Sequence, residues 1–363
     1  MVNDFIDSDL KSVSTIDKEL EQLVQKQGAR VKVIGCGGGG GNSVSRMKEI
    51  GIKGCEVLAI NTDAQDLLYT SADAKILIGR ELTGGLGAGS NPKIGEEAAK
   101  ESEQEIRKRL SNADLVFITC GLGGGTGTGS APVVADLAKK AGALVIAIVT
   151  LPFTVEGQKR IENAQYGLER LEQIADTLIV VPNDKLLELA PELPIQTAFK
   201  VADEILTNSV KGIAELITSA GLVNLDFADV KAVMSDGGVS LIGIGESSSA
   251  NNRATEAVER AIHNPLLDVN IESAKGALVN VIGGPDMSLD EYSQVMAIVS
   301  RKVPQNAKII SGAKISPDME KNIKVLLIVT GVKSPQILGS SSAYKSKENT
   351  DLGSELGINF VEE

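Results

Sequence analysis

Ten residues, Gly121–Ser130 (GLGGGTGTGS), contain six glycines and two threonines. That composition suits phosphate binding. Glycine lets backbone N–H groups approach an anion closely, and Thr126, Thr128 and Ser130 add hydroxyl donors. The apolar run Asp114–Cys120 (DLVFITC) precedes the loop, and a helix-like run from Pro132 (PVVADLAKKAG) follows it. A strand feeding a glycine loop that opens a helix places an anion at a helix N-terminus, where the partial positive charge favours it. A flexible linker has similar composition but does not sit between a buried strand and a helix.

Two further glycine loops lie upstream. Gly35–Asn42 reads GCGGGGGN, and Gly35, Gly37 and Gly40 satisfy G-x-G-x-x-G, with Asp63 22 residues after Gly41. Those facts alone allow a dinucleotide site, and hence an NAD(P)-dependent oxidoreductase. The third loop, Thr83–Gly89 (TGGLGAG), and the richer loop at 121–130 favour the concentrated charge of a nucleoside triphosphate. No G-x-x-x-x-G-K-[ST] occurs, so phosphate must be held mainly by backbone N–H groups and hydroxyls.

Val223–Val230 (VNLDFADV) carries the other candidate chemistry. Asp226 and Asp229, with Asn224 just upstream, form a pair of carboxylates able to orient a water for attack on phosphorus. The plainer reading is an Asp cap opening the helix that continues as VKAVM. His263 is the only histidine, which excludes histidine triads within the chain. Cys36, Cys55 and Cys120 form no C-x-x-C pair and read as reduced thiols, with Cys36 and Cys120 small buried residues at strand ends.

The elements that position these residues follow a rhythm. VKVIG, CEVLAIN, KILIG, DLVFITC, ALVIAIVT and TLIVVP are short, continuously apolar strands. They alternate with helix-like stretches at Val44–Ile50, near Gly95–Leu110 and after Pro132, as in a parallel sheet covered on both faces. A long helix is expected over about Ile195–Ser219. The texture then changes to LIGIGES, GALVNVIGG, KIISGAKI and KVLLIVTGV, with helices near Asn251–His263 and Ser288–Ser300, the pattern of a smaller α+β unit. The expected organisation is an N-terminal helical extension (1–28), a nucleotide domain (29–194), a central helix (195–220), an α+β domain (221–332) and a flexible tail (333–363). Within the tail, Leu356, Ile358 and Phe360 form a possible docking peptide.

The chain has 363 residues, 42 % of them apolar, and a net charge of −12. The charge argues against nucleic acid and against simple adhesion to anionic lipid. No apolar run approaches the roughly 20 residues of a bilayer span, and the acidic N-terminus lacks a signal-peptide pattern, so a cytoplasmic location is expected.

GGGTGTG, GGGGGN, AINTDAQ, LPF…EG…R, VPND and NLDFADV occur here in the order found in the tubulin/FtsZ superfamily, and residues 30–332 resemble the FtsZ family of cell-division GTPases. The resemblance implies an α/β fold: a Rossmann-like GTPase domain joined by a long central helix to a smaller α+β domain. It implies GTP/GDP and Mg²⁺ as ligands, the ion being held mainly by nucleotide phosphates and water. Carried onto this chain, Gly37, Gly38, Gly39, Gly40, Gly41 and Asn42 form the first phosphate loop. Asn61 and Asp63 lie on the phosphate and Mg²⁺ side, and Ala88 and Gly89 near the γ-phosphate. Gly121, Gly123, Gly124, Gly125, Thr126, Gly127, Thr128 and Gly129 surround the α- and β-phosphates. Glu156 and Arg160 match ribose contacts, and their i, i+4 spacing puts both on one helical face. Asn183, Phe199 and Asp203 match the guanine site: a carboxylate accepts from guanine N1–H and N2–H₂, a donor pair adenine lacks, and a phenyl ring stacks on the base.

The resemblance also implies that Asp226 and Asp229, supported by Asn224, act on the nucleotide of the next subunit, so that GTP hydrolysis requires a head-to-tail homopolymer forming a mid-cell division ring. The N-terminal helix, Cys36 and the short tail are closer to archaeal than to bacterial members. Without a membrane segment, a tether would be a separate protein engaging the C-terminal tail. A tubulin-like scaffold that binds GTP without hydrolysing it is the interaction-class alternative, and the intact NLDFAD loop weighs against it.

Overall fold

The computed structural model describes residues 29–185, 195–218, 226–235, 237–264 and 271–332. The expected N-terminal helix, Asn224 and the tail with Leu356, Ile358 and Phe360 lie outside the described residues. Six strands, β1 (Val31–Cys36), β2 (Cys55–Asn61), β3 (Ala74–Leu77), β4 (Leu115–Gly121), β5 (Leu144–Leu151) and β6 (Thr177–Pro182), pair in parallel in the order β3-β2-β1-β4-β5-β6. This doubly wound order reverses direction at β1 and β4, where crevices for ligands form beyond the strand C-termini. Strands such as β4 and β5 are buried along almost their whole length, which explains why they read as unbroken apolar runs.

The helices of this half are α1 (Gly37–Glu49), α2 (Ala64–Tyr69), α3 (Arg80–Thr83), α4 (Pro92–Glu101), α5 (Glu103–Leu110), α6 (Thr126–Lys140) and α7 (Gln158–Ile174). Alternate residues of each strand enter opposite cores. Val116, Ile118 and Cys120 pack with Ala98 of α4 and Val134 of α6, whereas Leu115 and Phe117 pack with Val44 and Met47 of α1.

Three helix boundaries depart from the sequence reading. α1 begins at Gly37, not Val44, and α6 at Thr126, so Pro132 lies inside it rather than at its start. Close packing makes the small residues of α6 necessary: a Cβ on Gly129 would lie 2.0 Å from the Pro92 carbonyl oxygen. The single helix expected at Gly95–Leu110 is broken at Ser102, whose hydroxyl accepts from Gly79 N–H at 3.2 Å.

The long helix α8 (Ile195–Thr218) buries Leu206, Val210, Ile213 and Ala214 against the sheet face that also carries α1. Beyond it come α9 (Phe227–Met234), β7 (Gly238–Ser247), α10 (Arg253–Ile262), β8 (Gly276–Gly283), α11 (Leu289–Lys302), β9 (Lys308–Ile315) and β10 (Ile323–Thr330). These strands are mixed: β7–β10 and β10–β8 are antiparallel, β8–β9 parallel. β7 also pairs with β6 through Thr177↔Gly238, Leu178↔Val239 and Ile179↔Ser240, so both units share one ten-stranded sheet.

Candidate nucleotide site

β1 runs directly into α1 at Gly37, and β4 reaches α6 through the short glycine turn Leu122–Gly125. Neither helix has a side-chain cap or an acidic residue in its first turn, so their unpaired N–H groups remain available to an anion. The two turns touch. Gly37 has φ 69°, and a Cβ there would lie 2.7 Å from Gly127 N, an approach only glycine permits. Between them opens a cleft of about 370 Å³. Its walls include Gly37, Gly38, Gly39, Asn42, Gly121, Gly124, Gly125, Thr126 and Gly127, at and around the two helix N-termini.

At its other end the same cleft is bounded by Glu156, Arg160, Asn183, Phe199 and Asp203. Arg160 Nη1 donates to Glu156 Oε2 at 2.6 Å, but the two do not share a helix face. Glu156 closes a 3₁₀ turn (Thr154–Glu156), Gly157 at φ 99° breaks the chain direction, and Arg160 stands in the first turn of α7. Asn183 is 4 % exposed and its Oδ1 has no hydrogen-bond partner. Phe199 is 40 % exposed on α8. Burial pushes the Asp203 carboxyl up to about 6, against the lowering effect of a hydrogen bond from Ser43. An unpartnered amide oxygen, a carboxylate and an open phenyl face lining one cleft suit a base edge that offers donors.

Other sequence candidates stand behind the walls. A Cβ on Gly40 would lie 2.5 Å from the Thr119 carbonyl oxygen, and one on Gly41 3.1 Å from Thr70 Oγ1, so both serve packing. Gly123 N–H donates to Thr128 Oγ1 at 2.9 Å, fixing the turn before α6. Asp63 caps α2, accepting from Gln65 and Asp66 N–H. Asn61 is buried and donates to Asp66 Oδ2 at 2.6 Å. Ala88 packs against Gly125, and Gly89 takes φ 55° with open space around its Cα.

Ser43, Asp66, Leu122, Thr150 and Pro152 escaped the sequence reading. Asp66 Oδ2 lies 3.2 Å from where a Cβ on Gly38 would stand, so a carboxylate borders the phosphate turn. Because α1 starts at Gly37, Ser43 lies one helical turn beyond Gly39. Among the described residues no cluster of three or more His, Cys, Asp or Glu is placed to hold a metal. This donor set fits an ion such as Mg²⁺ that keeps its waters and binds through phosphate oxygens. Burial pushes the Cys36 thiol up to about 12 and raises Cys120 well above its usual range, which makes both inert as nucleophiles.

Asp226 and Asp229 are absent from the cleft. Asp226 occupies the N-cap position of α9, yet its side chain makes no capping hydrogen bond, and both carboxylates are exposed. Phe199 and Thr218 are nineteen residues apart on α8, about 28 Å at 1.5 Å per residue. Thr218 packs where a Cβ on Gly54 would stand, just before β2 begins. The helix thus runs from the C-terminal edge of the parallel strands to their N-terminal edge, and α9 follows it there, leading into the start of β7 beside the start of β6. Carboxylates and cleft lie at opposite ends of the molecule.

A family model described as the GTPase domain of the tubulin/FtsZ family matches residues 30–191, and one described as the FtsZ family C-terminal domain matches 238–333. Cell division protein FtsZ 1 of Pyrococcus abyssi is 61 % identical over 324 residues, covering 89 % of this chain and 87 % of that protein. The protein of the same name from Archaeoglobus fulgidus is 55 % identical over 346 residues, covering 95 % and 92 %. An empty FtsZ dimer from M. jannaschii superposes with a TM-score of 0.83 at 58 % identity, covering 87 % of this chain and 92 % of that one. A GTPgS-bound protofilament of CetZ2 from Haloferax volcanii gives a TM-score of 0.75 at 22 % identity, covering 88 % and 100 %, a likeness of fold alone.

Proposed function

The chain belongs to the FtsZ family of tubulin-like cell-division GTPases, and from that premise we propose that its active site is completed only between two copies stacked head to tail. The GTPase domain and the relatives named for cell division support the hydrolytic reading over a dinucleotide-dependent oxidoreductase or a non-hydrolysing scaffold. Gly37–Gly39 and Gly124–Gly127 hold the phosphates through backbone N–H groups, Glu156 and Arg160 the ribose, and Asn183, Phe199 and Asp203 the guanine. Mg²⁺, bound through phosphates and water, would neutralise charge on the β- and γ-phosphates. Asp66, held by Asn61 and Asp63, borders Gly38 on that side and would order its water shell.

One observation carries the proposal: Asp226 and Asp229 come after the far end of α8, whose Thr218 stands about 28 Å along the helix from Phe199 at the guanine end of the cleft. Asp226 and Asp229 therefore cannot reach their own nucleotide. In a head-to-tail stack they face the next subunit's cleft and orient the attacking water, converting GTP and water to GDP and phosphate. Such a heterologous contact propagates as an open filament. The supporting relative is a dimer in the solved FtsZ from M. jannaschii.

The proposal extends to a cytoplasmic filament at the mid-cell division site, tethered by a separate protein at the C-terminal tail. No described helix is long and apolar enough to cross a membrane. Light scattering and phosphate release, followed together after GTP addition, test the reading. Scattering that rises with GTP and decays as phosphate appears, with Asp226→Ala assembling but not releasing phosphate, is the expected result. A phosphate-release rate per subunit that stays constant as protein concentration rises would defeat it.

A further inference from the structure

Ser43 is fully buried on α1, and its Oγ has two oxygen neighbours, Asp203 Oδ1 at 3.0 Å and the Gly39 carbonyl at 3.1 Å. A hydroxyl carries one proton and can donate to only one of them. A carbonyl oxygen never donates. Both contacts are hydrogen bonds only if Asp203 is the neutral acid, its O–H donating to Ser43 Oγ while Ser43 O–H donates to Gly39. If Asp203 is ionised, Ser43 turns its proton to the carboxylate and withdraws it from Gly39.

We propose that Ser43 is a positioning residue for Asp203, and that its single proton makes recognition of the base at Asp203 felt at Gly39 in the phosphate-binding turn. The inference rests on the reading of Asp203 as the guanine acceptor. Paired donation from guanine N1–H and N2–H₂ needs an ionised acceptor, so below about pH 6, where Asp203 is mainly the neutral acid, its arrival expels the Asp203 proton to solvent. The Ser43 proton then swings from Gly39 to Asp203, and the Gly39 carbonyl keeps only its backbone helix bond. A base without that donor pair leaves the relay in its first state.

The charged groups around Asp203 do not supply this link. On α8, Lys200 and Glu204 share its outer groove, as do Arg46 and Glu49 of α1, which pair with each other at 3.0 Å. Across the cleft Glu156 and Arg160 are likewise paired. Ser43 alone among the described residues donates to the carboxylate, and Thr207 Oγ1 reaches the Ser43 carbonyl at 3.5 Å from the turn of α8 after Asp203.

Calorimetric titration of nucleotide-free protein with GDP, in buffers of different ionisation enthalpy between pH 5 and 8, counts the protons released. The titration of the GDP phosphates is common to all variants and cancels between them. The wild type should release a proton with a midpoint at about 6. Ser43→Ala removes a donor to the ionised form, so the midpoint should move up by about one pH unit, and GDP affinity should fall about twofold at pH 7 and about tenfold near pH 5. Ser43→Thr should restore both.

An unchanged midpoint and affinity in Ser43→Ala would overturn the proposal. Should that variant not fold, carboxyl NMR of the wild type decides: Asp203 titrating in the ordinary aspartate range without GDP also overturns it. Failure of the guanine reading would look different, as a wild type that binds ADP as tightly as GDP.

Discussion

Phe199 and Phe153 meet edge to face, their ring centroids 5.2 Å apart and their planes at 83°. Phe153 is buried in the loop after β5 and Phe199 stands near the start of α8, so the contact holds the open phenyl face at the cleft. Phe199→Ala removes both the stacking surface and this brace. GDP affinity should fall by about one to two orders of magnitude, since stacking on a base contributes about 1–3 kcal/mol. Equilibrium dialysis with GDP measures it, and a loss under twofold would remove Phe199 from the base site.

Two glycines in the same loop should behave oppositely. Gly124 lines the cleft, and a Cβ there meets nothing within 4 Å, whereas one on Gly129 would strike the Pro92 carbonyl oxygen at 2.0 Å. Gly124→Ala should leave nucleotide-free stability within about 0.5 kcal/mol while weakening GTP binding. Gly129→Ala should cost about 1–3 kcal/mol by overpacking. Urea unfolding without nucleotide separates them, and equal midpoints would count against the packing assignment.

Glu96 on α4 receives two hydrogen bonds from Arg170 of α7 and one from Lys100. The Arg170 guanidinium holds its carboxyl down to about 2. Because the folded value lies below the unfolded one, the stabilisation is present at neutral pH and is lost as pH falls from about 4.5 toward about 2. Glu96→Gln should lower stability at pH 7 by about 1 kcal/mol and have no effect near pH 2. Chemical denaturation at both pH values checks the sign. A variant equally destabilised at both would point to packing instead of charge.

The cross-subunit site predicts rescue on mixing. Asp226→Ala keeps a sound cleft, and Gly124→Ala keeps sound carboxylates. In a random head-to-tail stack of equal parts, about a quarter of the interfaces pair a sound cleft with sound carboxylates. At a GTP concentration too low to load Gly124→Ala each variant alone is nearly inactive, and phosphate release should return to about a quarter of the wild-type rate when they are combined. A mixture no faster than its components would place the whole active site within one subunit.

Much of this architecture was legible in the chain because its strongest signals are local. Six apolar runs separated by glycine turns mark β1 to β6, since a strand buried on both faces has no polar side to show. The helix starts were not legible. Glycine is a poor helix former, so Gly37–Gly41 reads as loop, although tertiary packing and the need for bare N–H groups place it in the first turn of α1. Pro132 misled in the same way, because it is tolerated in the interior of α6. Glu156 and Arg160 do meet, but a reading by helical spacing could not show the break at Gly157. Ser43 carried no signal at all, because its partner Asp203 is 160 residues away in sequence.

The length of α8 has a geometrical consequence for any filament. If the cleft near its first residues holds the nucleotide and Asp226 and Asp229 beyond its last act on the next subunit, this helix of 24 residues, about 36 Å long, would act as the ruler of the polymer. The axial repeat of a stack is tied to that ruler, and each added helical turn would lengthen the period by about 5.4 Å. A family of subunits able to copolymerise must therefore share a helix of one length, whatever the composition of their surfaces.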